Sequence, residues 1–366
     1  MTNPYPLWAT HELLGVMRDL KTETWYFGQF FNRQMRSTDE YIDFEKLPIR
    51  SRTLAPFVKP LGRGRGVYND QQRTFRFKPA YVKVEESIDE LRPLTFAPGI
   101  DRSMLHADEP GFQLSPIQRR ELIKAEMTRE AILAIERRWE WMKARAIIDG
   151  RNVITYEDGE SVTVDYQRAS GHTEVLTSGN YWGDTGVSIM DHIQTILDTM
   201  NNAEFGGLPT RITMGSGLAK ILRKDKEILS HMDINLRGGA ATVERGIVTG
   251  GPNGGKVYKF GELMVGGASG FAIELWVNDE TFDVGTTKTR YLGNFEAVFT
   301  AGADQIMGYE CFGRIVDKAA NYEALPIFPK NFETGHDEKV EFLSFKSAPL
   351  MVPINPNATY KLTARA

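Results

Sequence analysis

The chain has 366 residues, 41% of them hydrophobic and 25% charged, and its 44 basic and 48 acidic side chains leave a net charge of −4. This composition excludes a disordered chain and allows one large structural unit or about two of ~150 residues, while the near-balance of charge argues against a dedicated nucleic-acid binder with its basic excess. The single cysteine, Cys311, excludes an intramolecular disulfide and argues against a thiolate metal site, and with no signal-like opening and no run of ~18 apolar residues, neither secretion nor membrane spanning is expected.

Residues 1–45 read as an arm with a short helix, because Leu13, Leu14, Met17 and Leu20 fall at helical spacing. An aromatic cluster follows: Trp25, Tyr26, Phe27, Phe30 and Phe31. Such a cluster serves either the subunit's own core or an anchor onto a neighbour. Residues 52–86 predict a long two-stranded excursion. Arg52–Lys59 would be the incoming strand, and Arg73–Glu85, with Thr74, Phe75, Phe77, Tyr81, Val82 and Val84, the outgoing one. The tip carries Gly62, Arg63, Gly64, Arg65 and Gly66. A hairpin arm of ~15 residues reaches ~50 Å. An isolated one is marginal in water, so it must lie on something else. The Gly-Arg tip is also compatible with a nucleic-acid tail, but it is short and flanked by strands.

The clearest predicted element spans Pro116–Gly150. Ser115 suits an N-cap and Pro116 the first helical position. Ile123, Met127, Ala131, Ile135, Trp139, Met142 and Ala146 repeat every three or four residues, and Gly150 suits the C-terminal cap. At 1.5 Å per residue the helix is ~50 Å long. No strict heptad persists, so a lone helix lying along a sheet is expected rather than a coiled coil. Asn152–Tyr166 predicts a hairpin turning at Asp158-Gly159. An α/β region follows: helix Val187–Met200, strand Arg211–Met214, a helix Leu218–Met232 opened by Gly215-Ser216-Gly217, and strands Val257–Val265, Ala272–Val277 and Asn294–Phe299. From Cys311 onward the chain reads as strand and loop.

Enzyme-like motifs fail on their own chemistry. Gly250–Lys256 satisfies Gly-x-x-x-x-Gly-Lys, but Val257 stands where a nucleotide-binding loop needs a hydroxyl, and a strand is predicted where it needs a helix. His11-Glu12 lacks the second histidine of a zinc-protease helix, since residue 15 is glycine. His106, His172, His192, His231 and His336 show no ligand spacing, and Ser216 lacks the flanking of a nucleophile elbow. Glu157, Asp158 and Glu160 sit on a turn, where solvated charge is the usual meaning. No catalytic residue, metal or cofactor is expected, and Cys311 reads as a buried apolar residue.

The C-terminal stretch carries a family resemblance. Pro329-Lys330-Asn331-Phe332 is followed by Thr334-Gly335-His336-Asp337, Phe342, Ser347-Ala348-Pro349-Leu350-Met351, and then Pro353, Pro356, Tyr360 and Leu362. Upstream, Phe77-Lys78-Pro79-Ala80-Tyr81-Val82-Lys83, the helix from Arg119-Arg120 and the hairpin from Val153 follow in matching order. Over roughly residues 45–365 the chain resembles the lambda-type major head protein family. The resemblance implies an α+β fold of the Hong Kong 97 capsid type, divided here as an N-terminal arm over 1–49, an extended β-hairpin loop (E-loop) over 50–86, and a peripheral domain over 87–185 with a spine helix over 116–149. An axial domain over 186–308 and peripheral returning strands over 309–366 complete it.

It further implies a major capsid protein of a tailed bacteriophage that self-assembles as hexamers and pentamers of an icosahedral head around packaged double-stranded DNA. The partners implied are further copies, a separately encoded scaffolding protein and a portal, with a decoration protein left open, DNA in non-specific proximity and no membrane. The location implied is the virion, after assembly in the host cytoplasm. The inter-subunit candidates are Trp25, Tyr26, Phe27, Phe30, Phe31, Arg63, Arg65, Phe75, Phe77 and Tyr81. Arg63 and Arg65 are expected to meet acidic groups of a neighbour, since the E-loop in this fold lies toward the outer surface. No covalent cross-link through Lys59 and no fused N-terminal scaffold are expected. A tail or connector protein, or a nucleotide enzyme resting on Lys256, are the competing readings.

Overall fold

A computed structural model of the chain describes residues 8–19, 25–46, 73–88, 116–232, 256–265, 271–334 and 340–365. The first half comprises helix α1 (Thr10–Asp19), strands β1 (Arg33–Arg36), β2 (Ile42–Lys46), β3 (Arg73–Phe77) and β4 (Val82–Ile88), helix α2 (Pro116–Ile148), strands β5 (Arg151–Thr155), β6 (Ser161–Asp165) and β7 (Thr173–Val175), and helix α3 (Ile189–Asn202). Next come β8 (Pro209–Met214), α4 (Ser216–Leu222), α5 (Lys226–His231), β9 (Val257–Val265), β10 (Phe271–Asn278), β11 (Thr281–Val284), β12 (Thr287–Arg290), β13 (Glu296–Ala301) and α6 (Ala303–Ile306). The chain closes with β14 (Gly308–Phe312), β15 (Phe328–Thr334), β16 (Val340–Ser347), β17 (Pro349–Pro353) and β18 (Thr359–Thr363).

The long predicted helix is α2, with 33 residues and so about 50 Å in length. Ser115, its expected N-cap, lies outside the described residues. At the other end Gly150 takes φ +66°, a left-handed conformation open to glycine at no steric cost. Arg168 Nη1 donates to the carbonyls of Ile147 (3.1 Å) and Ile148 (3.0 Å), which have no helical partner. Ala131, Ile135, Met142 and Ala146 are buried as the periodicity predicts. The last turns bury far more than one stripe: Glu140, Lys143, Ala144, Ile147 and Ile148 are enclosed too, because the helix runs into the centre of the molecule there. It packs along β17, β4, β5 and β16 and against the 3-10 turn Phe27–Phe30.

Two large cores flank the end of α2. One joins the close of α2 to the 26–31 segment, β2, β14 and β17. The other lies between α3, α4, α5 and a six-stranded sheet in the order β7-β18-β13-β8-β10-β9. Ile189, Ile193, Ile196, Leu197 and Met200 line the buried face of α3, whose first turn is capped by Ser188 Oγ accepting from the Asp191 amide at 3.2 Å. A smaller core joins Leu13 of α1 to Ile132 and Ile135 of α2 and to Leu343 and Phe345 of β16.

Two expectations change. Strand β2 at 42–46 pairs antiparallel with β3, and the expected incoming strand at 52–59 lies outside the described residues. The outgoing strand breaks at Lys78–Tyr81, where Pro79 has no N–H to donate; β4 beyond the break joins the sheet β15-β16-β4. β18 pairs with β13 and β7 inside the six-stranded sheet, and Tyr360 and Leu362 fill that sheet's core. The single helix read over 218–232 is two, because Asp225 accepts from the amides of Glu227 (2.9 Å) and Ile228 (3.0 Å) and starts a new helix. The 281–290 ribbon, β11–β12, is not among the predicted strands, although Gly285, at φ +60°, supplies the turn residue.

Candidate functional site

The residues predicted to reach a neighbour divide by burial. Tyr26, Phe27, Phe30 and Phe31 are no more than 4% exposed and belong to the subunit's own core. Tyr26 meets Phe27 edge-on with centroids 5.2 Å apart, and its hydroxyl shares a 2.6 Å hydrogen bond with Thr213 Oγ1; burial pushes its pKa up to about 12. These four rings therefore have no surface to offer another subunit, and core packing is the role they take. Phe77 is likewise turned inward, 6.4 Å from Phe44 and 5.7 Å from Tyr166 between ring centroids. Trp25 is half-buried and Tyr81 exposed. Arg63, Arg65 and the side chain of Phe75 lie outside the described residues.

Surface features outside the predicted contact residues stand out more than those residues do. Two ribbons, β5–β6 and β11–β12, each form a sheet of two strands among the described residues. Val153 and Val162 on the first, and Val284 on the second, expose their side chains. Two-stranded ribbons are marginal in water and gain from lying on another surface. A third feature is the loop after β14. Ile315 faces inward while Val316 is 63% and Tyr322 48% exposed, and Asn321 (φ +50°) and Tyr322 (φ +56°) are both left-handed. A charged clasp fixes this loop: Asp317 receives Lys346 at 2.6 Å and Lys330 at 3.2 Å and caps the next turn through the Ala319 amide at 2.9 Å. The Lys346 hydrogen bond, joined by those from Ala319 and Lys330, holds the Asp317 carboxyl down at about 2. The periodic signals used to find helices and strands do not register such a loop.

Beneath these surfaces, buried charges lock the units together. Glu341 of β16 is 2% exposed and receives the fully buried Lys124 of α2 at 2.9 Å, Asn331 at 2.7 Å and Arg120. At the other end of α2, Asp149 is bonded by Lys361 at 2.9 Å and Arg145 at 3.0 Å, and Lys361 also reaches Glu296 at 2.9 Å. The spine helix is thus tied at one end to β16 and at the other to β13 and β18.

The enzyme-like motif has no catalytic geometry at its lysine. Lys256 is followed directly by β9 rather than by a helix, and its Nζ donates to Thr281 Oγ1 at 3.2 Å. His172 is buried with Nδ1 3.1 Å from the Thr359 carbonyl oxygen, and His192 lies between Trp182 Nε1 (2.8 Å) and Glu174 (3.1 Å). Among the described residues no cluster of three or more His, Cys, Asp or Glu could hold a metal ion. Cys311 is fully buried, and burial pushes its thiol up to about 12, far from a reactive thiolate. No helix among the described residues is long and apolar enough to cross a membrane.

The chain is similar to known proteins over nearly its whole length. It is 24% identical over 355 residues to the major capsid protein of Escherichia phage N15, covering 96% of this chain and 97% of that one, and the same figures hold for the major capsid protein of Escherichia phage lambda. A crystal structure of a protein described as a capsid protein of an Escherichia coli CFT073 prophage superposes with a TM-score of 0.67 at 20% identity, covering 98% of this chain and 99% of the other. The expected α+β fold of the Hong Kong 97 capsid type is the fold observed. The model of the family described as phage major capsid protein E matches residues 9–364, and this chain belongs to that family.

Proposed function

We propose that the chain works by assembly and not by catalysis, its subunits closing as hexamers and pentamers into an icosahedral head around packaged double-stranded DNA. The observation that carries this reading is the family match across residues 9–364. The surface supports it physically: two-stranded ribbons and a rigidly held apolar loop project from a subunit whose interior is tied by buried ion pairs. A shell requires one sequence to occupy several near-equivalent positions, so its contacts are many and individually modest, and mass action makes their sum large.

In this reading the 1–49 arm and the 50–86 E-loop reach neighbouring subunits, with Trp25 and Tyr81 as contact residues and Arg63 and Arg65 facing acidic groups of the next copy. The region 186–308 sits nearer the capsomer centre. Virion membership follows from the family; assembly in the host cytoplasm with a separate scaffolding protein and a portal belongs to the proposal. The net charge of −4 suits a wall that lies beside DNA without gripping it. No covalent cross-link joins the subunits. Electron microscopy of the purified chain, alone and co-expressed with a scaffolding protein, tests the proposal beside a nucleotide-turnover assay. Closed shells or capsomers are expected. Nucleotide turnover, tubes without shells, or a stable monodisperse monomer at high concentration would overturn it.

A further inference from the structure

One side chain fastens the strap that joins β7 to α3. Within residues 177–187 only Trp182 is buried, and Gly179, Gly183 and Gly186 take φ +94°, +96° and +90°. The Trp182 ring enters the core between α3 and the six-stranded sheet, and its Nε1–H donates to Nδ1 of His192 on α3 at 2.8 Å. An indole N–H can only donate, so Nδ1 accepts and carries no proton while this bond stands. The imidazole hydrogen is therefore on Nε2, which donates to Oε2 of Glu174 on β7 at 3.1 Å. The same oxygen accepts the hydroxyl of Tyr360 on β18 at 2.6 Å. Side chains from the strap, α3, β7 and β18 thus form one directed chain of hydrogen bonds, and the assembly just described makes no use of it.

We propose that His192 is an acid-operated release for the 177–187 strap, holding Trp182 while the imidazole is neutral and letting it go when the ring takes a second proton. That proton can enter only at Nδ1, where it faces the indole N–H. Glu174 holds Nε2 in either state and gains a charge-assisted bond to the cation, so the ring keeps its place. The cost falls on Trp182, whose N–H is left in the core without an acceptor, and an orphaned buried donor costs more than the bond it lost. The other charged groups around the site make their hydrogen bonds away from the His192 ring. Asp184 of the strap accepts the Tyr181 amide at 3.3 Å, and Arg365 lies over the Tyr181 ring, 5.9 Å from its centroid. Asp191, on the first turn of α3, is exposed, and Glu227 of α5 accepts the Ser188 hydroxyl at 3.1 Å. His172, its ring 5.7 Å from that of Tyr360, donates Nδ1–H to the Thr359 carbonyl, and Arg168 beside it is bonded to the last carbonyls of α2. Burial, with Arg168, holds the His172 pKa below the ordinary histidine value. The His172 contribution is therefore present above that value and lost as pH falls below it, the same direction as the release. The release stands on the subunit fold and does not depend on the assembly reading.

Hydrogen exchange of residues 177–187 in the full chain, corrected for intrinsic rates, reads the strap at about pH 7.5 and about pH 5, either side of the range in which imidazoles take up a proton. The wild type is expected to lose protection about fivefold at the lower pH, the factor one hydrogen bond carries. W182F, whose ring has no N–H to be opposed, is expected to keep the same protection at both. An unchanged wild type overturns the proposal. So does an equal loss in W182F, which would place the acid response at another group such as His172. Should W182F fail to fold, nitrogen NMR of the wild type with labelled histidine and tryptophan decides. The His192 hydrogen is expected on Nε2 at about pH 7.5 and on both nitrogens at about pH 5, with the Trp182 indole signal shifted between them. A hydrogen on Nδ1 at the higher pH, no second proton at the lower, or a second proton with the indole signal unmoved rejects the release.

Discussion

Replacing Glu341 by Gln tests whether the buried ion cluster holds the spine helix to β16. The amide keeps the shape and one acceptor oxygen but removes the negative charge. Lys124, fully buried, then loses its 2.9 Å partner and retains Glu121 at 3.5 Å and the ring of Trp8, 5.6 Å from its Nζ. Breaking one side of a buried pair costs about 3–5 kcal/mol, because the remaining charge stays in a poor solvent. The contacts left to Lys124 place the expected loss near the lower end, about 3 kcal/mol. Urea unfolding of the full chain reads this as a lower midpoint at unchanged slope. K124M in the E341Q background should cost less than K124M alone, with a coupling of roughly 1–3 kcal/mol between the two sites. A loss below about 1 kcal/mol for E341Q, or strict additivity in the cycle, would refute the claim that these charges are dry and mutually dependent.

The remaining predictions concern the loop clasp, the helix cap and the E-loop tip. The folded pKa of Asp317 is depressed, so its contribution is present above the ordinary aspartate range and is lost as pH falls toward about 2; D317N should flatten that acid limb in thermal melts, and an unchanged limb would remove Asp317 as its source. A Cβ at Gly150 would stand 2.9 Å from Arg168 side-chain atoms on a left-handed backbone, so G150A should lower stability by about 1–3 kcal/mol in equilibrium unfolding. The double variant R63A/R65A should impair shell formation, scored by sedimentation of assembled particles, while nucleic-acid binding by free subunits stays unchanged. Normal shells with weakened nucleic-acid binding would assign the tip to DNA instead.

Local signals in the sequence determined the local elements. The three-to-four-residue apolar repeat, Pro116 and Gly150 determined α2, since helix period and caps depend on neighbours a few positions away. Alternation and the Asp158-Gly159 turn determined the 151–165 hairpin, and Val257–Val265 is the strand predicted there. The family resemblance, carried by short segments near the C-terminus, determined the fold class. Tertiary structure decided which strands meet. β18 lies beside β7, with Lys361 opposite Thr173, a pairing between segments nearly two hundred residues apart that no local pattern encodes. It also decided that the 26–31 aromatics serve the subunit's own core, because a hydrophobic ring in a sequence looks the same whether its cover comes from the same chain or the next. The charges on α2 were decided there as well. Lys124, Glu140 and Lys143 lie off the apolar repeat, yet they are buried because partners from β16, the 27–28 turn and β14 converge on them. Burying a charge is tolerable only where such partners arrive, and their arrival is a property of the completed fold.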